Sequence, residues 1–486
     1  MSHLEIPGIS AKWVIGFFGL FHISVAAMAI GMAFIVAVLE IYAYRNKIRR
    51  YDLFAKRTQL FHVCIYNIGT INAIGLVFAL SGLYPQFWSQ IFVHFFWPLI
   101  IEEFLFFLLA TTLTFHYFFW EHLWGHKKLH ITLGVLLIPL FFLQMYIING
   151  LGGFMLTPGF KEGEVSLFKG ILGYDFKAMY NPSFLMLQLH RALANISYAG
   201  FCLAGWCGIR LYLTDDAKKR DYYEDCGRIA YYIAFAFFLS IPIIGYFYSH
   251  VMMKEASQAF WDLMLGRGDI LVLGIDTWWL KHFLVAAMLG SSLVYFHRID
   301  KTNVPFSLPK VMVWSIALFY LMFYMAMGMV MTWLFFWLMF IAAIISALIS
   351  LFLLHSNKNS ARALFILLGV ISFLTVMLGG YAREASRPRF VDRVSAYDNI
   401  YVPEERSPYL MVPVKPGDIP IVKQETTKEA QLIHDRCVDC HTLDVIRDYK
   451  DDDWDEVIKT MINYGTELTE DEAKLITEYL KAGKPF

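Results

Sequence analysis

Long apolar runs separated by short charged clusters dominate the first 385 residues. Runs near 13–43, 59–84, 90–120, 130–153, 184–213, 229–252, 277–297 and 363–382 are each long enough to cross a bilayer, which takes about 20 apolar residues. The stretch 311–354 carries no charged residue and is roughly twice a single crossing, so it divides into two helices around Gly328 to Trp333. The pattern predicts an all-α, polytopic transmembrane bundle of about ten helices over residues 1–385. Met1 to Lys12 has neither a basic n-region nor a small-residue cleavage site, so the first run is read as a retained helix. From Ser386 the pattern changes. Residues 386–428 are rich in proline and charge and read as an extended linker. Residues 429–486 read as a small all-α soluble domain, with helices over Trp454 to Tyr464 and Thr469 to Leu480.

Composition agrees with a lipid-facing chain. Of 486 residues 58% are hydrophobic and 17% are charged, and mean hydropathy is +0.50. A soluble fold of this length could not bury so much apolar surface. Formal net charge is zero, which gives no footprint for a nucleic-acid partner. Basic residues follow alternate spans: Arg45 to Arg57 after the first, Lys127 and Lys128 after the third, Arg210 to Arg220 after the fifth. Arg298 to Lys310 and then Lys358 with Arg362 continue the series. The positive-inside rule then places the N-terminus outside, and an even helix count returns the tail to the periplasmic side of a bacterial inner membrane.

The tail carries the sharpest chemical signal. Cys437-Val438-Asp439-Cys440-His441 is a C-x-x-C-H c-type haem attachment motif. Cys437 and Cys440 would bond one covalent haem c, and His441 would reach its iron. Met461 follows the motif and is the candidate for the other axial position. No Cys or His follows His441, so half of a zinc site is the weaker reading. Cys64, Cys202 and Cys207 lie in apolar runs and read as buried free thiols.

Ionisable residues inside spans are candidate functional groups. His22, His190, His282 and the pair Glu102–Glu103 come from different predicted helices, yet all fall in the outer half of the bilayer. Facing histidines in a helical bundle are a means of holding non-covalent haem b, one or more here. His62, His116, His122, His126, His130 and His297 fall at or beyond the inner ends and read as solvated residues.

The residues also carry a resemblance. Phe21-His22, Gly31-Met32-Ala33-Phe34 and Glu40 lie in the first span, and Pro98-Leu99-Ile100-Ile101-Glu102 in the third. Asn149-Gly150, Asn181-Pro182 eight residues before His190, and Ser386-Arg387-Pro388 follow in order. Over about 13–300 and 363–390 the chain resembles the large haem-binding subunit of cytochrome bd quinol oxidases, here with a cytochrome c domain appended. The resemblance implies that His22 holds the oxygen-side haem, with haem d a candidate there, and that Glu102 is its carboxylate neighbour. It implies that His190 is an axial ligand of the low-spin haem b, and that Arg387 neutralises haem propionates. It further implies a second membrane subunit, a quinone pool, and quinol as a substrate.

Several family positions differ. The second glutamate of the third span is replaced by Ala110, and the high-spin haem glutamate falls at about Met377. The low-spin methionine falls near Leu284, with His282 beside it as a substitute ligand. The quinol loop, about His250 to Asp276, is short but keeps Lys254 and Glu255. A helix pair at 311–354 is inserted. Two functions remain open. One is a terminal oxidase fed by quinol or cytochrome c, with Glu102 and Glu103 handling protons. The other is a quinol:cytochrome c electron-transfer module, serving a soluble or multihaem cytochrome without reducing oxygen. A non-redox transporter is the weakest alternative, because it leaves Cys437 to His441 unexplained.

Overall fold

The computed structural model describes residues 11–84, 88, 91–92, 95–154, 157, 179–255, 260, 271–272, 275–299, 304–330, 333–355, 361–401, 428–437, 453–463 and 468–482. These form two compact units, residues 1–387 and 388–486.

The larger unit is built from α1 (Ala11–Asn46), α2 (Arg49–Leu83), α3 (Phe96–Phe118), α4 (Lys127–Phe154) and α5 (Phe184–Tyr212). It continues through α6 (Ala217–Phe238), α7 (Ile241–Glu255), α8 (Thr277–Arg298), α9 (Lys310–Val330), α10 (Trp333–His355) and the part of α11 (Ala361–Tyr401) up to Arg387. A hairpin of two-residue strands, Leu271–Val272 and Ile275–Asp276, precedes α8. Among the described residues nine helical segments are long and apolar enough to cross a membrane, with α6 and α7 counting as one. The 21-residue α9 has no charged residue after Lys310. Helix α9 is described to Val330 and α10 from Trp333, and residues 331–332, where the sequence reading divides the run, lie outside the described residues.

Two boundaries differ from the sequence reading. Helix α2 begins at Arg49, ten residues before the apolar run at 59. Its charged first turns are retained because they find partners. Arg50 binds Asp221 and Asp225, each at 2.9 Å, and Lys56 binds Glu121 at 2.7 Å. The guanidinium of Arg49 lies 4.9 Å from the Trp124 ring centre. At the other boundary, α11 continues to Tyr401, so residues 386–401 are helical where the proline content suggests extended chain. Only Pro388 falls in that helical part; the remaining prolines begin at Pro403. One cysteine also differs. Cys64 is exposed on α2, whereas Cys207 and Cys226 are buried.

The core runs along α1, α5, α6, α8 and α11, with Met32, Phe201, Tyr231, Phe235, Phe296 and Phe365 wholly enclosed. Small residues set the spacing, as expected where lipid removes the hydrophobic drive between helices. A Cβ on Gly31 would stand 2.1 Å from the Asn195 carbonyl and 2.6 Å from Ala199 Cβ, so α1 and α5 touch backbone to backbone there. Gly290 does the same for the inserted pair: its Cβ would meet the Ala343 carbonyl at 2.2 Å, which seats α10 on α8. Gly31→Val is therefore expected to cost about 3 kcal/mol or more, at the upper end of overpacking losses. Thermal unfolding of the detergent-purified protein would show it as a large fall in midpoint or loss of monodisperse protein.

The smaller unit contains α12 (Lys428–Cys437), α13 (Trp454–Asn463) and α14 (Glu470–Lys481). They close on Ile433, Ile458, Ile476, Tyr479 and Leu480. Thr469 caps α14 in a capping box with Glu472. The Thr469 backbone N–H, 2.8 Å away, and Arg436, 3.1 Å away, hold the Glu472 carboxyl below its ordinary range.

Candidate haem cavity and its histidines

Five helices converge on one cavity of about 460 Å³, within the range of ordinary ligand pockets. Helix α1 contributes His22, α2 Tyr66, α3 Glu102 and Glu103, α4 Gln144, and α5 Arg191. The rest of the wall is mainly alanine, isoleucine, leucine, valine and glycine. A mainly apolar hollow thus holds one imidazole, two carboxyl groups and one guanidinium, with Tyr66, Thr70 and Gln144 as further polar side chains.

The His22 imidazole is oriented by α2. Its Nδ1 lies 3.2 Å from the Gly69 carbonyl oxygen. A carbonyl only accepts, so Nδ1–H is the donor and Nε2 keeps its lone pair. That arrangement fixes tautomer and ring direction in a histidine that binds metal through the other nitrogen. Glu102 Oε1 accepts a 2.6 Å hydrogen bond from Gln144. Arg191 donates to Asn149 Oδ1 at 2.5 Å, and Asn149 donates onward to Gln188 at 2.6 Å. The Asn149-Gly150 pair therefore ties α4 to α5 beside the cavity. Asn181 completes the joint by donating to the Gly150 carbonyl at 2.8 Å.

His190 lies one residue from Arg191 on α5, facing α7. Its ring centre is 6.1 Å from that of Tyr248, and a Cβ on Gly245 would be 3.8 Å from its Nδ1. That nitrogen is buried and makes no hydrogen bond. A buried orphan nitrogen is costly in an apolar bundle, and a bond from that nitrogen to a metal would satisfy it. His282 lies on the second turn of α8, beside Lys281, whose charge bears on His190. Lys281 also meets α11, where a Cβ on Gly379 would be 3.7 Å from its Cδ. The expected residues thus fall at two neighbouring places: His22, Glu102 and Glu103 in the cavity, and His190 with the start of α8 beside it.

Other expected positions are less fully described. Arg387 lies on α11, its side chain outside the described residues. Cys437 is the last residue of α12, and Cys440 and His441 lie outside the described residues. Met461 sits half-buried on α13 of the same unit.

The family model for cytochrome bd terminal oxidase subunit I matches residues 10–394. The chain belongs to the cytochrome bd oxidase subunit I family. This cytochrome bd-type subunit also shares its fold with a solved structure, the bd oxidase from Geobacillus thermodenitrificans, at TM-score 0.51 and 18% identity over 79% of this chain and 88% of that one. No curated protein matches it. Family membership makes it a membrane respiratory oxidoreductase subunit. The family binds b- and d-type haems, and subunit I normally pairs with a subunit II. Ala110 is half-buried on α3 and packs against the cluster that contains Leu109, Leu113, Leu137 and Phe141.

One group of residues was misread from sequence. His62, His116 and His130 are wholly buried, as is Glu40, although the three histidines read as solvated. The reason is the early start of α2: His62 lies about 20 Å along that helix, at 1.5 Å per residue. Glu40 and Lys127, with the short 119–126 turn, then close over His116 and His130. The signal was present in the spacing Asp52, Gln59, His62, Tyr66, which recurs at helical intervals on one buried face.

Proposed function

We propose that this chain is the haem-bearing subunit of a terminal oxidase, in which electrons from quinol, or from cytochrome c through the covalent haem c, pass to haem b and reduce dioxygen at the His22 cavity. The observation that carries the reading is His22, its Nδ1 bound to the Gly69 carbonyl and its ring lining a cavity shared with Glu102, Glu103 and Arg191. Haem bound there would supply the electrons and an iron position open to dioxygen. The chain's own residues do the rest. His22 would hold the iron, Glu102 and Glu103 would hold and release protons in the cavity, and Gln144 fixes the Glu102 carboxyl by donating to one oxygen. Arg191 offers positive charge to a propionate or to developing negative charge. His190 and His282 would hold the low-spin haem b, and Arg387 would face propionates. In the tail, Cys437 and Cys440 would carry haem c, and His441 and Met461 would hold its iron.

The basic ends of the helices, where Arg50, Lys56 and Lys127 make their ion pairs, face the cytoplasm in this reading. The tail is then periplasmic and can exchange electrons with a soluble or multihaem cytochrome. Ala110 and Met377 favour a second reading, a quinol:cytochrome c module without oxygen chemistry, because each removes a family carboxylate. The two separate on one experiment. The purified complex with its partner subunit is supplied with quinol, or with reduced cytochrome c, in an oxygen electrode. Oxygen uptake is expected. Haem reduction by quinol with no oxygen uptake would give the second reading instead.

A further inference from the structure

The cavity has two carboxyl groups, Glu102 and Glu103, and α3 carries no further acidic residue between them and Phe118, with Ala110 two turns beyond Glu102. A second set of buried groups lies between the cavity and the basic helix ends. Glu40 of α1 meets Lys127 of α4 at 2.7 Å, and Lys127 meets Asp52 of α2 at 2.7 Å. Trp120 Nε1 donates to the other Asp52 oxygen at 3.3 Å. His116 Nε2 of α3 lies 3.3 Å from the second Glu40 oxygen, and His130 Nδ1 of α4 closes on the first. The His116 and His130 rings stack 4.2 Å apart. Although Glu40, His116 and His130 stand as close as metal ligands do, the cation there is the ammonium of Lys127.

Two features make this cluster a proton store. The first is composition. Two carboxyl groups, one amine and two imidazoles meet within hydrogen-bond reach of one another in a buried site, so neighbouring groups can pass a proton between them. The second is hydrogen-bond direction. His130 Nε2 lies 2.8 Å from the His116 carbonyl and must donate. Its Nδ1 faces Glu40 Oε1, so a proton occupies that bond whichever atom holds it.

The route onward runs through buried ring nitrogens. His116 Nδ1 makes no hydrogen bond, and His62 meets no side-chain partner, only the Ala29 backbone. Both side chains are fully enclosed, and the charge of His116 bears on His62. His62 stacks on Phe141 with ring centres 5.1 Å apart, and Phe141 lines the cavity. Four residues further along α2 is Tyr66, whose hydroxyl donates to the Phe106 carbonyl at 3.0 Å on the same wall as Glu102 and Glu103. Buried polar atoms without protein partners are the places ordered water occupies. Four buried polar groups on one face of a membrane helix are costly unless they are used.

We propose that Asp52, Lys127, the Glu40–His130 pair, His116 and His62 form the proton-delivery route of this subunit, from the basic helix ends to Glu102 and Glu103. This rests on the cavity being the site of reduction proposed above. The chemistry is proton transfer alone. A proton enters at Asp52, joins the Glu40–His130 pair, moves to His116 and His62 through bridging water, and reaches a cavity carboxyl. One proton crosses for each electron delivered to the cavity, and dioxygen is the final acceptor of both.

The test uses the full complex in lipid vesicles, wild type beside His62→Phe and His116→Gln. Haem content is read from the reduced spectrum, and anaerobic haem reduction by quinol from stopped flow. Oxygen uptake is followed against pH. Proton uptake on haem reduction is read with a pH-indicating dye. The expected result is intact haem and intact anaerobic reduction, with oxygen uptake slowed about 10²-fold in both variants, the scale of a lost proton-transfer group. Proton uptake on reduction should be lost as well. Wild-type rate, pH profile and proton uptake in the variants would overturn the proposal. If His62→Phe fails to assemble, His62→Gln replaces it and must show the same losses. Should the wild type consume no oxygen, the oxidase reading fails on its own. The dye then decides the route: proton uptake unchanged in the variants refutes it, and uptake abolished supports it.

Discussion

Replacing His22 by alanine is expected to lower oxygen uptake by about three orders of magnitude, while the tail haem remains. The argument is local. His22 is the imidazole of a cavity enclosed by five helices, and its Nδ1–H is committed to the Gly69 carbonyl at 3.2 Å. Only Nε2 can serve iron, and alanine offers no substitute. Three decades of rate correspond to about 4 kcal/mol of lost transition-state stabilisation. The reduced spectrum should lose one non-covalent component and keep the rest, because His190 lies on a different helix, facing α7. Bound imidazole supplied from solution should restore part of the loss. A variant with wild-type spectrum and oxygen uptake would remove His22 from the site.

The second large effect is in the tail. A Cys437→Ala/Cys440→Ala double variant is expected to lose covalent haem completely, seen as absence of haem peroxidase stain on a denaturing gel. Non-covalent haem should remain, since the bundle is a compact unit of its own. Electron delivery to or from a soluble cytochrome should fall to background, while quinol still reduces the haems in the bundle. Persisting stain would move the attachment site elsewhere. The helices on which Cys437 and Met461 lie share a core of Ile433, Ile458 and Ile476. A Met461→Ala chain should therefore keep its covalent haem and change only its potential.

Much of this molecule is legible in its sequence because lipid imposes a simple rule: spans must be long and apolar. The cavity residues His22, Glu102 and Glu103 stood out because ionisable groups at depth are rare. What sequence did not disclose was depth itself where charge interrupts the apolar pattern. The basic cluster from Arg45 to Arg57 reads as a loop, yet most of it belongs to α2. Those charges are matched from other helices: Arg50 by Asp221 and Asp225, Lys56 by Glu121, and Asp52 by Lys127. No local pattern announces partners that are so distant in sequence. Moving the start of α2 back by ten residues carries His62 from the membrane edge to the interior, and His116 and His130 follow it under Lys127. Gly31 shows the converse. It reads as part of a family motif, and its reason is steric, the contact with Asn195 and Ala199.

Haem stoichiometry tests the central claim most directly. The purified protein is extracted with acidified acetone, and haem in the extract and in the protein pellet is measured per chain. One haem retained on the chain and at least two released are expected. A colourless extract would contradict the account, because the cavity at His22 and the orphan nitrogen of His190 would then serve no porphyrin.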